Sequence, residues 1–221
     1  MYIEEDVTEE SSVYDTLFSV YYSGWTDVFK TYKPNIKNIS DIIASKENES
    51  GGFMPQKSEL FRTFGMTNLS DVKVVIWGKN PSIHKNFYGN IFKELKQENQ
   101  VPNDFNGNFG SRNLDDWAKQ GVLFMNVAMC YSRQKPDPFS DLWIRFANII
   151  IQIINNNVPN CIHLLWGREC EKISDSINSR EVYSTSHPSS PGMGFFGCNH
   201  FIKVNITLER QNKPPIKWLR Y

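Results

Sequence analysis

The sequence predicts an α/β fold: a single domain with three α/β/α layers around a central, mainly parallel sheet of four strands. Two patterns support this prediction. Four short runs rich in apolar and β-branched residues have the character of strands, and helix-length segments separate them. Strands that alternate with helices form a largely parallel sheet covered on both faces. The length of 221 residues suits one compact domain of this kind.

The four predicted strands share short length and a high content of valine, isoleucine and other apolar residues. They are residues 72–77, 122–127, 161–166 and 182–186. The segments between and after them have the length and periodicity of helices. They are residues 90–98, 113–119, 138–156, 169–177 and 200–210, the last of which ends before Pro214 and Pro215. This order gives the alternation from which the fold is predicted.

The N-terminal region differs from the rest of the chain. Residues 1–20 are acidic and show no clear periodicity, so we assign them to a separate segment, either a mobile or frayed terminus or a partner-binding arm. Residues 21–221 are assigned to the domain itself. No internal repeat or change of composition marks a further domain.

The composition excludes several classes of protein. The chain has 24 lysine plus arginine residues and 24 aspartate plus glutamate residues, so any surface that binds nucleic acid must be local. Its four cysteines are widely spaced and no apolar signal segment opens the sequence, which predicts an intracellular protein without separating nucleus from cytoplasm. No apolar run reaches the length of a membrane span, and no metal-ligand spacing occurs. We therefore predict no membrane partner, no metal and no cofactor.

Short polar segments follow the predicted strands. They contain glycine, proline or small polar residues, and they are residues 78–82, Asn126 with its followers, residues 167–168 and residues 187–190. In a parallel sheet the carboxyl ends of the strands open onto one ligand-binding crevice. Glycine lets the backbone approach a ligand closely, and small polar side chains supply hydrogen-bond donors. The four segments are thus predicted to converge on one site.

Several motifs along the chain resemble those of family 1 uracil-DNA glycosylases. The most specific are HPSS at residues 187–190 and GFFGCNHF at residues 194–201, which are similar to the family's HPSPLS and GFFGCxHF. WAKQGVLFMN at residues 117–126 and LLWG at residues 164–167 resemble two further family motifs. The resemblance runs from about Trp25 to the C-terminus, and it implies the fold of that family and its activity, the excision of uracil from DNA.

The resemblance implies specific roles for residues of the base pocket. Such an enzyme extrudes the base from the duplex and reads its edges by hydrogen bonds and stacking. Asn126 matches the asparagine whose carboxamide offers both a donor and an acceptor to uracil. His187 matches the catalytic histidine that hydrogen-bonds the base oxygen while negative charge develops on the leaving uracil. Phe87 or the adjacent Tyr88 supplies a stacking face for the base, or else anchors the following helix.

The resemblance also implies a surface that grips the DNA backbone, where hydroxyls and backbone N–H groups meet phosphate. The matching positions in this chain are Gly167, Arg168, Ser189 and Ser190. The loop that follows is shortened relative to the family. Its Met193 is either an apolar wedge that fills the vacated base stack or a residue that packs locally.

The first motif of the family, GQDPYH, is altered here to GKNPSIH at residues 78–84. Asn80 replaces the aspartate that orients the attacking water, and relatives with G-x-N-P use asparagine to hold that water, so slow catalysis is expected. Lys79 replaces the glutamine of the same uracil-binding loop. Ser82 replaces the tyrosine that excludes the thymine methyl group, which predicts either weaker selection against thymine or a site that has lost its function.

Two main hypotheses follow. The first is a uracil-DNA glycosylase-like enzyme of base excision repair, a hydrolase of N-glycosyl bonds that acts on uracil in single- or double-stranded DNA. The second is a catalytically inactive protein that keeps the fold as a DNA-binding or replication-associated adaptor, with a polymerase-associated protein partner. Asn80, Ser82 and the shortened loops favour the adaptor, whereas Asn126, His187 and Ser189 favour the enzyme. A small nucleobase binder without DNA contact is a third, weaker alternative.

Overall fold

The structure is a computed structural model of the chain, and it describes residues 11–47, 53–81, 86–101, 105, 107, 109–132, 139–190 and 194–219. Short 3-10 turns connect some of its helices and strands. In chain order the elements are α1 (Val13–Phe18), α2 (Trp25–Phe29), α3 (Lys33–Glu47), β1 (Phe53–Met54), α4 (Arg62–Met66), β2 (Val74–Gly78), α5 (Phe87–Gln97), α6 (Ser111–Ala118), β3 (Val122–Asn126), β4 (Tyr131–Ser132), α7 (Ser140–Asn157), β5 (Ile162–Trp166), α8 (Glu171–Ser174), β6 (Val182–Thr185) and α9 (His200–Arg210).

The central sheet contains the four strands that the sequence predicts. Their order is β3-β2-β5-β6, and every neighbouring pair is parallel. Gly78 at the end of β2 is in register with Asn126 at the end of β3, and Trp166 at the end of β5 with Thr185 at the end of β6. The carboxyl ends of all four strands therefore meet at one edge. The two-residue strands β1 and β4 form a separate antiparallel pair.

Helices cover both faces of the sheet, which confirms the three-layer arrangement. Successive side chains of a strand point to opposite faces of the sheet, so the side chains of β2 alternate between the two helical layers. Val75 and Trp77 join the apolar cluster formed with α2, α3 and α7, whereas Val74 and Ile76 join the cluster formed with α5, α6 and α9. All four side chains are fully buried. This burial explains why the strand is a continuous apolar run without polar alternation.

The segment after β5 is less helical than the sequence predicts. A helix was expected over residues 169–177, but the chain forms a 3-10 turn over Arg168–Cys170 and then the short helix α8. The Ser174 hydroxyl donates a hydrogen bond to the Glu171 carbonyl, and the N–H groups of Ser176 and Ile177 bond three residues back. Serine competes with the helical pattern in this way, and the helix ends there.

The described part of the acidic segment, residues 11–20, contains helix α1. The Ser12 hydroxyl caps this helix by accepting the Asp15 N–H at 3.0 Å. Val13 and Leu17 are buried, and the Tyr14 N–H donates to Ser40 Oγ on α3 at 2.9 Å. The sequence does not predict this helix because six residues are too few to show a period. Within the described residues, no helix combines the length and the apolar character that crossing a membrane requires.

Candidate active site at the carboxyl edge of the sheet

A cleft of about 640 Å³ opens at the carboxyl edge of the sheet, beside the ends of β2, β5 and β6. Its volume lies within the range of ordinary ligand pockets. Most of the described residues that the sequence assigned to a site line this cleft. They are Lys79, Asn80, Gly167, Arg168, His187, Ser189 and Ser190. The loops that end three of the four strands therefore share one cavity.

Asn126 lies beside this cleft, and Gly78 explains how it approaches His187. A Cβ atom added to Gly78 would lie 2.7 Å from Asn126 Oδ1 and 3.9 Å from His187 Nε2. The carboxamide and the imidazole therefore converge above the bare Cα of Gly78. Glycine is required there because any side chain would displace the carboxamide. The Val127 N–H donates to the Gly78 carbonyl at 2.9 Å and fixes the two strand ends against each other.

The hydrogen bonds of His187 determine which ring nitrogen can donate. The Ser189 backbone N–H donates to His187 Nδ1 at 3.2 Å, so this nitrogen is an acceptor. In the neutral imidazole the proton then lies on Nε2, the atom near Gly78 and Asn126. The side-chain amide of Asn90 on α5 donates to the Pro188 carbonyl at 2.6 Å and steadies the same loop. His187 is thereby prepared to donate from Nε2.

Phe87 lies next to the histidine at the start of α5. Its ring centroid is 5.6 Å from that of His187, with the planes inclined by 33°, and only 7% of its surface is exposed. It also packs against Tyr88 within the apolar cluster of α5, α6 and α9. Phe87 thus anchors the helix and forms a wall behind the histidine ring.

The turn at Gly167 passes close to the loop that carries His187. Gly167 has a φ of 110°, a conformation that glycine adopts at little cost, and its N–H donates to the Thr185 carbonyl at 2.8 Å. A Cβ atom there would lie 3.4 Å from His187 Cβ. Arg168, the next residue, is exposed at the rim of the cleft. A glycine turn and a guanidinium therefore border the opening.

Two buried hydroxyls in the cleft have no hydrogen-bond partner among the described residues. They are Ser186 Oγ and Ser189 Oγ, and both residues line the cleft. A buried hydroxyl without a partner costs free energy, so such groups commonly await a ligand or water. Ser189 was predicted from the sequence, whereas Ser186 was not.

An ion pair within the cleft was also missed. The Lys79 ammonium lies 2.8 Å from Glu169 Oε1, so this lysine side chain pairs with the turn after β5. Burial pushes the pKa of Glu169 upward, but the hydrogen bond from Lys79 and the nearby positive charges bring its pKa below the ordinary value. Lys79 and Glu169 are 90 positions apart in sequence, and no motif indicated the contact. The predicted site residues Ser82 and Met193 lie outside the described residues.

Comparison with known proteins agrees with this geometry. A sequence model of the uracil DNA glycosylase superfamily matches residues 64–209, which include every site residue predicted above. The chain belongs to the uracil-DNA glycosylase superfamily. A uracil-DNA glycosylase of Escherichia coli O1:K1 is 32% identical over 219 residues, and the match covers 88% of this chain and 94% of that protein.

Solved structures of the superfamily share the fold of this chain. A mimivirus uracil-DNA glycosylase superposes with a TM-score of 0.75 at 21% identity, over 88% of this chain and 86% of that one. A mimivirus UNG variant in complex with UGI gives a TM-score of 0.73 at 19% identity, over 90% and 88% of the two chains. The superfamily fold thus extends over nearly the whole chain.

Proposed function

We propose that this member of the uracil-DNA glycosylase superfamily hydrolyses the N-glycosidic bond of uracil flipped out of DNA, as a step of base excision repair. One observation carries the proposal. The carboxamide of Asn126 and Nε2 of His187 converge on Gly78, next to a cleft that Asn80 and the Gly167 turn also line. A uracil base needs a donor and an acceptor on its edge and a donor to its oxygen, and these side chains supply them.

Base recognition is assigned to Asn126, and stabilisation of the leaving uracil to His187. One carboxamide presents a carbonyl and an amide side by side, which distinguishes uracil from cytosine. The Nε2–H of a neutral His187 points to the place where negative charge develops on the base. A fixed donor of this kind acts on the transition state more strongly than on the ground state. Phe87 supports the histidine from behind.

Asn80 is assigned to the attacking water. A carboxamide holds a water by hydrogen bonding, but it brings no negative charge to the cationic sugar that forms as the bond breaks. We therefore expect excision slower than in relatives with an aspartate at this position. With Ser82 in place of the tyrosine ring, we also expect weaker selection against thymine.

Gly167, Arg168, Ser189, Ser190 and Met193 are assigned to the DNA backbone and the vacated base stack. The unpartnered Ser189 hydroxyl and the exposed guanidinium of Arg168 support contacts to phosphate. Either single- or double-stranded DNA suits this arrangement. A replication- or polymerase-associated partner and an intracellular location remain predictions from the sequence.

The test is excision from oligonucleotides that contain one uracil, single- or double-stranded, incubated with excess protein. Alkali cleaves the abasic product, and gel analysis gives the rate of its formation. We expect slow product formation by the wild type, a loss of about 100- to 1,000-fold in His187→Ala, and a gain in Asn80→Asp. Uracil-free oligonucleotides of the same sequence measure DNA binding separately.

The outcome decides between the enzyme and the adaptor. Product that His187→Ala forms as fast as the wild type would contradict the roles assigned here. Binding of uracil-free DNA without any product, by both the wild type and Asn80→Asp and at long times, would favour the inactive adaptor.

A further inference from the structure

The charges in the cleft are few and specific. Among the described residues that line it, Glu169 and Glu171 are the carboxylates, and Lys79 and Arg168 are the cations. Asn80 lines the same cleft from the β2 side and is neutral. Any negative charge that the described residues of the cleft offer to a substrate therefore comes from one of the two glutamates.

Glu169 is the better placed of the two glutamates. A Cβ atom built on Gly167 would lie 3.7 Å from Glu169 Oε2 and 3.4 Å from His187 Cβ, so the carboxylate and the histidine flank the same turn. Glu171 is exposed at the first residue of α8. The Lys79 ammonium, from the loop after β2, lies 2.8 Å from Glu169 Oε1. The lowered pKa of Glu169 agrees with an ionised group in this position.

Cleavage of an N-glycosidic bond separates charge, and an anion near the sugar therefore favours it. The C1′–N1 bond breaks with its electron pair on the uracil, and positive charge develops on the sugar. The oxygen of a water then bonds to C1′, and its proton passes to the uracil anion, which leaves neutral uracil and an abasic sugar. A preorganised negative charge near the sugar lowers the energy of this transition state.

We propose that Glu169 is the carboxylate that offsets the positive charge on the sugar, and that Lys79 holds this carboxylate in place and partly neutralises it. The proposal rests on the proposed function. It adds a carboxylate in the turn after β5 whose charge acts on the sugar. Excision then depends on one negative charge, carried by Glu169 opposite the neutral Asn80.

The competing explanation is that Lys79 and Glu169 merely clasp two loops together. The side chains of Lys79 and Glu169 are 55% and 38% exposed, and ion pairs this exposed contribute little to stability. A clasp loses its function equally when either partner is removed. A charge on Glu169, in contrast, acts more strongly when its neutralising partner is absent. The two explanations thus predict different results for the two substitutions.

The experiment measures single-turnover excision from a uracil-containing oligonucleotide across protein concentrations, so that the saturating rate and the half-saturating concentration are obtained separately. We expect Glu169→Gln to lower the saturating rate about 10- to 100-fold, the size of one partly screened charge interaction. Lys79→Met is expected to raise that rate. Glu171→Gln is the matched control, and its saturating rate should stay within about twofold of the wild type, since exposed charges act weakly. Thermal melting checks that each variant is folded.

A second set of variants, made in the Asn80→Asp protein, tests whether Glu169 supplies the negative charge. Asn80→Asp places a carboxylate directly in the β2 loop, so in that background Glu169→Gln should cost less than about threefold. Equal losses in Glu169→Gln and Lys79→Met would support the clasp and overturn the proposal, as would a Glu169→Gln rate equal to that of the wild type. Absence of product from both the wild type and Asn80→Asp would instead overturn the proposed function itself, and the charge assignment with it.

Discussion

The cleft and the junction between α5 and α9 both bury polar groups, but they use them in opposite ways. At the junction, Glu94 on α5 is fully buried and accepts the N–H groups of Gly197 at 2.7 Å and Asn199 at 3.2 Å. Glu98 accepts the Ile202 N–H at 2.7 Å. The N–H groups of Asn199 and Ile202 belong to the start of α9, where a helix leaves donors without partners, and that of Gly197 belongs to the turn before it. In the cleft, by contrast, hydroxyls of serine residues stay without partners in the described chain.

The junction shows that a closely matched motif can serve the scaffold. The GFFGCNHF segment contributes to the turn and the helix start that the two glutamates cap. Glu94, Glu98 and Cys198 each place one potential ligand atom within 4.8 Å of the others, a grouping that sequence spacing did not reveal. Three of the four carboxylate oxygens already accept backbone N–H groups, which identifies the group as a helix cap. Lys79 and Asn80 of the altered loop, in contrast, line the cleft.

Among the variants that compare these two regions, Gly78→Ala in the cleft is expected to have the largest effect. The new methyl group would lie 2.7 Å from Asn126 Oδ1, the end of a movable side chain, so the carboxamide rotates away while the fold survives. Loss of its hydrogen bonds to uracil should lower the saturating excision rate about 10- to 100-fold. Single-turnover kinetics measure this. Gly89→Ala is the matched control because a Cβ on Gly89 meets no atom within 4 Å. Equal rates for the two variants would show that Gly78 is not required for the approach of Asn126.

At the junction, Glu94→Gln should lower stability by about 1 to 3 kcal/mol, because one amide oxygen replaces two carboxylate oxygens that accept N–H groups, and the charge at the start of α9 is lost. Urea unfolding measures the change. Glu209→Gln, an exposed position near the end of the same helix, provides the control. A stability equal to that of the control would mean that the carboxylate does not cap α9.

Ser189→Ala tests the opposite behaviour in the cleft. The hydroxyl has no partner in the described chain, so its removal should leave the free energy of unfolding unchanged or slightly higher. Affinity for DNA should fall about fivefold, the value of one hydrogen bond near 1 kcal/mol. Fluorescence anisotropy with a labelled oligonucleotide measures the affinity. A loss of stability without a change in DNA affinity would show that the Ser189 hydroxyl stabilises the fold, as the glutamates at the junction do.

The smallest effect concerns the pH dependence of Glu98. Burial raises the pKa of Glu98 from 4.5 to about 8, and the neighbouring Glu94 adds to the rise. A folded pKa above the unfolded one means that this contribution to stability is complete below pH 4.5 and is lost as the pH rises toward 8. Glu98→Gln mimics the protonated form, so it should melt higher than the wild type at pH 8.5, by about 4 °C or less, but not at pH 4.5. An equal difference in melting temperature between Glu98→Gln and the wild type at both pH values would contradict this prediction.

Two further histidines show how burial changes the use of one residue type. The Trp77 indole donates to His163 Nδ1 and the Trp166 indole donates to His200 Nδ1, both at 3.2 Å. Burial lowers the pKa of each of these histidines to about 4. His187 instead takes its Nδ1 bond from a backbone N–H and directs Nε2 to the cleft. The sequence analysis gave His163 and His200 no role in a site.

The sequence by itself determined the four strands of the central sheet, the helices α5, α6, α7 and α9, and the meeting of the loops at one edge. Apolar runs and helical periods are local patterns, and parallel strands bring their carboxyl ends together whatever the details of packing. Only the tertiary structure decided the contacts of particular side chains. Lys79 with Glu169, Glu94 with the start of α9, and the Ser189 N–H on His187 depend on the final orientation of loops and helices. Two of these three join residues about 90 or more positions apart, and no local pattern encodes a contact over such a separation.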